Sequence, residues 1–227
     1  LVGEREDYLR SVSDSVVSTT VARNDEAMLD AVKKLLDAPR ATNEQAMQYL
    51  QFDRGLPTEV LEEAIARRLL VVLPDHPAHA TRWLEKHVGK NLMVQAGLWK
   101  ADKNAPSLAY RPIVSVRDSG KSVEFRLAHQ PKDGEIKAIS YGARSPWIWK
   151  GKEGKGILVV EGFLDLLSAV ALGTERTIIG LTGCENYDVS WFGSPGPSDV
   201  LLALDADEAG ERAIFGHTSK DGEAIPG

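Results

Sequence analysis

Two short segments near the end of the chain decide the fold. Residues 157–165 read ILVVEGFLD, in which an apolar strand ends at Glu161 and a helix over 163–172 follows. Residues 200–210 read VLLALDADEAG, in which a second apolar strand ends at Asp205 and leads into another helix. Continuous apolar strands separated by helices predict a parallel sheet whose two faces are both covered. We therefore expect an α/β domain with three buried parallel strands, the third of them over 177–181.

Three carboxylates follow these strands at their carboxyl ends, which is where an open α/β sheet places its functional site. Asp205 and Asp207 are two residues apart in an extended segment and so point to the same side. Glu161 leaves a neighbouring strand toward the same pocket. Oxygen ligands without His or Cys suit Mg²⁺ or Mn²⁺, and clustered carboxylates repel one another without such an ion. The spacing therefore predicts a divalent-metal site.

The two acidic motifs together resemble the signature of the Toprim family. They read EGFLD at 161–165 and DADEAG at 205–210. In that family the Glu and the Asp-x-Asp pair support catalysis through divalent metal. The resemblance implies catalytic and metal-binding roles for Glu161, Asp205 and Asp207.

The residues upstream resemble primases among the Toprim proteins. The segment AMQYLQFDRGL at 46–56 resembles the start of bacterial primase cores, and YRPIVSVRDSGK at 110–121 resembles their strand–turn–strand segment imperfectly. The resemblance spans about Asn43 to Ile214. Asp165 matches a further acidic position of the primase branch and is included among the metal ligands. The primase resemblance also implies a set of basic side chains that hold nucleotide and template phosphates: Arg111, Arg117, Arg126, Lys137, Arg144, Lys150 and Arg212.

The resemblance implies a function, with alternatives. It is that of a DNA primase core, a nucleotidyltransferase that joins nucleoside triphosphates on single-stranded DNA with Mg²⁺ or Mn²⁺, beside a replicative helicase. The alternatives are a Toprim nuclease and a non-catalytic DNA-binding or partner-docking Toprim domain. Phosphatases of the haloacid-dehalogenase type also place Asp-x-Asp after an apolar strand. They usually have Thr or Val where this chain has Ala209, and they need further motifs downstream.

The sequence divides into three regions. Residues 1–98 form a helical N-terminal region, with helices expected over 25–36, 43–52 (capped by Thr42) and 59–70. Residues 99–155 form a small basic α+β region, and 156–227 form the Toprim-type domain. The chain stops at Gly227 before a further acidic motif that the family normally has, and neither Asp221 nor Glu223 matches it, so we expect a truncated domain.

One segment allows two interpretations. Residues 145–156 contain Pro146 and three glycines, which predict an exposed loop or linker. Trp147 and Trp149 lie within it among lysines. They could stack on nucleic-acid bases or pack into the core.

Composition and charge limit the class of protein. The chain is 43% hydrophobic and 26% charged, and a single cysteine, Cys184, excludes a Cys-based zinc site and an internal disulfide. Cys184 itself is expected to be inert. No apolar stretch approaches the ~20 residues that cross a bilayer, and no signal peptide is recognisable, so we expect a cytoplasmic protein. Residues 100–155 hold 12 basic and 6 acidic residues, whereas 156–227 hold 3 and 12, which could place a phosphate-binding surface beside a cation site.

Overall fold

The computed structural model describes residues 24–183, 187–192 and 199–215, together with the strand residues 217–218 and 224–225. Three features of the sequence lie outside the described residues. They are the predicted helical segment before Asn24, the expected inert thiol of Cys184, and the acidic residues Asp221 and Glu223.

Five α-helices precede the first pair of long strands in the described chain. They are α1 (Asp25–Asp37), α2 (Glu44–Gln48), α3 (Thr58–Ala66), α4 (Pro77–His87) and α5 (Lys90–Gln95). Helix α2 continues into a π-helical turn over Tyr49–Asp53. The predicted helices over 25–36 and 43–52 are therefore confirmed. The predicted cap was wrong by one residue, because Asn43, not Thr42, is the N-cap of α2.

Asn43 makes two hydrogen bonds from a buried position. Its Oδ1 accepts from Ala46 N at 2.8 Å, which caps the helix, and its Nδ2 donates to Leu73 O at 2.8 Å. The side chain thus ties the start of α2 to the segment that follows the first strand. A threonine hydroxyl is too short to make both bonds, so the longer amide is favoured here.

Replacing Asn43 by Ala is expected to lower the free energy of unfolding by about 2–3 kcal/mol, since it removes a cap and leaves a buried carbonyl unpaired. Asn24→Ala is the matched control. Asn24 caps α1 with a single bond to Ala27 N at 2.9 Å and is exposed, so its loss should cost only about 1 kcal/mol. Urea unfolding of both variants measures the difference. Equal losses would contradict a second role for Asn43.

The first sheet is antiparallel and has the order β1-β2-β3-β4. Its strands are β1 (Leu70–Val72), β2 (Ile113–Val116), β3 (Ser122–Arg126) and β4 (Ala138–Gly142). The resemblance indicated a strand–turn–strand at 110–121, and β2 and β3 flank a turn there. Strand β1 was not predicted, because the expected helix ran to Leu70. Helix α3 instead ends at Ala66, and Arg68 adopts a left-handed conformation with φ 62°, which turns the chain into β1.

The second sheet has the order β5-β7-β6-β8. Its strands are β5 (Trp147–Trp149), β6 (Ile157–Val160), β7 (Thr177–Gly180) and β8 (Val200–Ala203). Strand β6 is parallel to both β7 and β8, as predicted. Helices α6 (Phe163–Ala171) and α7 (Glu208–Phe215) follow β6 and β8. Strands β9 (His217–Thr218) and β10 (Ala224–Ile225) pair antiparallel.

Strand β5 corrects the prediction of a loop over 145–156. It pairs antiparallel with β7, and both of its tryptophans are buried, which rules out base stacking by these rings and confirms core packing. The guanidinium of Arg117 lies 4.6 Å from the centroid of Trp147, and that of Arg67 lies 4.1 Å from that of Trp149. The alternate tryptophans fit a strand, but three residues are too few to identify one, and the nearby glycines favoured a loop.

Strand β8 was predicted to be buried and is exposed. Val200, Leu201 and Leu202 have exposed fractions of 43%, 51% and 44%. Within the described residues β8 pairs on one side only, with β6, so it is an edge strand. An apolar run cannot by itself distinguish an edge from a central position.

The largest core joins regions that are far apart in sequence. It contains Leu50 and Leu61 from the early helices, Trp147 from β5, and Leu164 and Leu167 from α6. The early helices therefore pack against the α/β sheet and bring their polar residues close to its carboxyl edge. In the described part of the chain no helix is long and apolar enough to cross a membrane.

Candidate active site

The carboxyl ends of β6 and β8 lie side by side. The two strands are parallel and in register, with Val160 opposite Ala203. Glu161 follows the first of these residues directly, and Asp205 follows the second by two positions. The structure thus brings the predicted acidic residues together at one edge of the sheet.

Glu161 is the centre of this acidic group. Its Oε1 accepts a hydrogen bond from Asp205 N at 3.0 Å. Partial burial raises the pKa of Glu161, and the negative charges of Asp205, Asp207 and Asp165 raise it further, whereas the hydrogen bond from Asp205 N lowers it. The carboxylate of Glu161 is therefore within electrostatic reach of the other three.

Asp207 accepts two backbone hydrogen bonds in addition to its place in the acidic group. Its Oδ1 accepts from Ala209 N at 3.0 Å and from Gly210 N at 2.9 Å, so it caps α7. A negative charge at a helix N-terminus is favourable. The second Asp of the motif thus caps the helix, and both Asp residues are exposed.

Gly210 is required by close packing at this edge. A Cβ atom there would lie 2.1 Å from Asp205 O and 3.3 Å from Glu161 Oε1. The first distance is to backbone, which has no side-chain freedom to move away. The glycine therefore lets α7 approach the acidic edge.

A polar cleft of about 370 Å³ opens beside the acidic residues. Its walls come from the π-helical turn, from β3 and the β3–β4 loop, and from the acidic edge. The lining residues are Tyr49, Arg54, Arg126, Leu127, His129, Gln130, Pro131, Lys137, Leu164, Asp165 and Asp205. Cationic and anionic side chains thus share one cavity.

Two of the predicted basic residues line this cleft, and two lining residues were missed. Arg126 and Lys137 are there as expected. Arg54 lies within the segment that carried the primase resemblance, but no phosphate-binding role was inferred for it. His129 is held by Glu135, with His129 Nε2 3.1 Å from Glu135 Oε2, and nothing in the sequence near it indicated a site.

Arg117 does not reach the cleft. Its exposed fraction is 4%, it stacks on Trp147, and its Nη2 donates to Ser140 Oγ at 2.6 Å. Burial lowers the pKa of Arg117, and the charge of Glu124 partly opposes that shift. The predicted phosphate-binding role of Arg117 is therefore wrong, because the guanidinium is enclosed by the protein.

Lys150 lies at the opposite edge of the second sheet from Glu161. The next residue, Gly151, donates its N–H to Thr177 Oγ1 at 3.2 Å, and Thr177 is the first residue of β7. Four residues of strand, or roughly 13 Å, separate the two edges. The predicted phosphate-binding role of Lys150 therefore disagrees with its position outside the cleft.

The other three predicted basic residues are not among those that line the cleft. Arg144 is exposed and precedes β5 at the edge where Trp147 pairs with Gly180, the last residue of β7. Arg111 donates from Nη2 to Ile136 O at 2.9 Å and so supports the β3–β4 loop. Arg212 pairs with Glu208 along α7, with Arg212 Nη1 3.5 Å from Glu208 Oε1.

The fit of these residues to a divalent cation can be judged from their oxygens. Within the described residues, no group of three His, Cys, Asp or Glu side chains is gathered closely enough to hold a metal by itself. Mg²⁺ commonly binds through one or two carboxylates, with water and substrate phosphates completing its shell. The all-oxygen donor set and the mutual repulsion around Glu161 fit a cation of that kind.

The segment that contains the acidic edge is similar to a known family. Residues 158–221 match the family described as Toprim-like. A search of curated proteins finds no significant match. The Toprim resemblance of the two acidic motifs is thus supported by an independent comparison over about the last third of the chain.

Solved structures extend the likeness upstream, and they are structures of bacterial primases. The zinc-binding and RNA polymerase domains of the Aquifex aeolicus primase match with a TM-score of 0.60 and 18% identity, over 85% of this chain and 51% of that one. The DnaG catalytic core matches with a TM-score of 0.55 and 18% identity, over 83% of this chain and 64% of that one. The RNA polymerase domain of Mycobacterium tuberculosis DnaG matches with a TM-score of 0.55 and 16% identity, over 84% of this chain and 68% of that one. This chain spans about half the length of the first, and at these identities it shares their fold.

Proposed function

We propose that this chain is the catalytic core of a DNA primase, which joins nucleoside triphosphates into oligonucleotides on single-stranded DNA. The observation that carries the proposal is the cleft in which Arg126 and Lys137 share one cavity with Asp165 and Asp205. Polymerisation of nucleotides needs cations to hold phosphates beside carboxylates that hold divalent metal. This cleft lies within a fold shared with bacterial primase cores.

The acidic residues supply the metal-binding part of the site. Glu161, Asp205, Asp207 and Asp165 would hold Mg²⁺ or Mn²⁺. Such an ion would supply positive charge to offset the negative charge that develops on the phosphates during transfer. Asp207 also fixes the start of α7 through its two backbone bonds, which keeps the edge in place.

The basic side chains supply the phosphate-binding part. Arg126, Lys137 and Arg54 line the cleft and would hold the triphosphate of the incoming nucleotide. Arg144 is exposed beyond β4 and extends the positive surface, so the template would run past it. A helicase partner follows only from the primase resemblance and is proposed on that ground.

Oligonucleotide synthesis tests the proposal directly. The full-length protein is expected to make short products from nucleoside triphosphates on single-stranded DNA, with Mg²⁺ or Mn²⁺ and not with a chelator present. Gel analysis of labelled products measures this. Degradation of the template would favour a nuclease, and release of phosphate from small esters would favour a phosphatase. Binding of DNA without turnover would favour a docking domain.

Binding of single-stranded DNA is expected to be weak and salt-sensitive. Each phosphate that is neutralised contributes about −0.7 to the slope of log affinity against log salt concentration. Four cations would therefore give a slope of about −3, namely Arg54, Arg126, Lys137 and Arg144. Lys137→Gln should reduce that slope. Lys150→Gln is the matched control, because its side chain lies at the opposite sheet edge and its removal should leave the slope unchanged. Fluorescence anisotropy across a salt series measures both, and equal effects would refute the placement of the DNA.

A further inference from the structure

Strand β3 carries an ion pair on the side that leads to the cleft. Its alternate residues Val123 and Phe125 pack into a hydrophobic core, so Glu124 and Arg126 point to the other face. Their side chains are only 13% and 18% exposed. Charged side chains are seldom so enclosed unless they are paired.

The pair has a geometry that fixes the arginine. Glu124 Oε1 accepts from Arg126 Nη2 at 3.2 Å and from Arg126 Nε at 3.3 Å. Two donors on one acceptor hold the plane of the guanidinium, which a single contact would leave free to turn. Arg126 lines the cleft that also contains Asp165 and Asp205.

Glu124 also balances a second arginine. Its charge acts on the buried Arg117, and the two residues share a neighbour in Ser140, which lies opposite Glu124 on β4 and accepts from Arg117. Glu124 therefore lies between one enclosed guanidinium and one that reaches the cleft. Loss of its charge would affect both the stability of the sheet and the orientation of Arg126.

The geometry points to Glu124 as a positioning residue that aims Arg126 at the phosphates of a bound nucleoside triphosphate. This inference rests on the proposed function of the cleft. It makes a prediction opposite in sign to that of charge alone. Removal of a negative charge beside a phosphate-binding cleft should tighten nucleotide binding if only net charge mattered. If Glu124 orients Arg126, its removal weakens binding.

Calorimetric measurement of ATP binding to the full chain, with Mg²⁺ present, distinguishes an effect of net charge from an effect of Arg126 orientation. Glu124→Gln keeps the side-chain shape and is expected to raise the Kd for ATP about 5- to 10-fold. In an Arg126→Met background the same change should have no further effect. Asp133→Asn removes one negative charge from the exposed β3–β4 loop, which forms part of the cleft wall, and shows what charge alone does. Binding as tight as wild type, or tighter, in Glu124→Gln overturns the inference.

A second variant covers the case in which Glu124→Gln fails to fold because Arg117 loses its counter-charge. Arg126→Lys keeps the charge in the cleft but cannot make the two-donor contact, and it leaves Glu124 in place for Arg117. It should weaken ATP binding nearly as much as Arg126→Met and raise KM in primer synthesis more than it lowers kcat. Wild-type affinity in Arg126→Lys would equally overturn the inference. If the wild-type protein itself does not bind ATP, the proposed function fails and the inference falls with it.

Discussion

Glu161→Gln is expected to reduce primer synthesis by at least ~100-fold while the thermal stability of the protein stays the same or rises. Activity falls because Gln removes the negative charge that a divalent cation needs. Stability holds because the amide oxygen can still accept the hydrogen bond from Asp205 N. The repulsion from Asp205, Asp207 and Asp165 that raises the pKa of Glu161 disappears at the same time. Synthesis assays and thermal melts on one preparation measure both effects.

Glu211→Gln serves as the control for this experiment. Glu211 is exposed on the first turn of α7, close in sequence to the acidic motif, and carries the same charge. Its substitution should leave synthesis unchanged. A Glu161→Gln variant that still makes primers, or that loses activity only because it unfolds, would contradict a direct role for the carboxylate.

The acidic edge could be predicted from sequence because each of its parts is local. An apolar strand followed at once by Glu161, and another followed by Asp205 and Asp207, needs only the rule that parallel strands end at one edge. The cleft is different, since Arg54, Arg126 and Asp205 come from separate parts of the chain. Nothing local to Arg117 distinguishes a cation under a tryptophan ring from one that faces a ligand.

The errors in predicting the strands have a common physical cause. Strands β1 and β5 are three residues long, so neither has enough alternation to identify it by period. Strand β8 has the apolar composition of a central strand but an edge position, which depends on what pairs beside it. Tertiary pairing decides all three cases, and single-residue preferences carry little of that information.

Gly210→Ala is expected to reverse the usual effect of such a substitution in a helix. Ala in place of Gly within a helix ordinarily stabilises by about 0.5–1 kcal/mol. Here the added methyl would lie 2.1 Å from Asp205 O, so either the helix or the strand end must move. We therefore expect a lower free energy of unfolding. Synthesis should also fall by about 100-fold, since a displacement of about 1 Å at a reacting site has effects of that size.

Gly162→Ala is the matched control at the same edge of the sheet. A Cβ atom there would meet the side-chain oxygen Asp165 Oδ2 at 3.1 Å, and that carboxylate can rotate away. The φ of Gly162 is −159°, which any residue adopts, so backbone strain is not expected. The free energy of unfolding should therefore fall by no more than about 1 kcal/mol in Gly162→Ala, the usual difference between Gly and Ala at an N-cap, and by more in Gly210→Ala. The comparison is made on stability, because the carboxylate of Asp165 belongs to the acidic group. Similar behaviour of the two variants would show that α7 does not depend on close contact with Asp205, and that the acidic edge tolerates a wider spacing than the structure has.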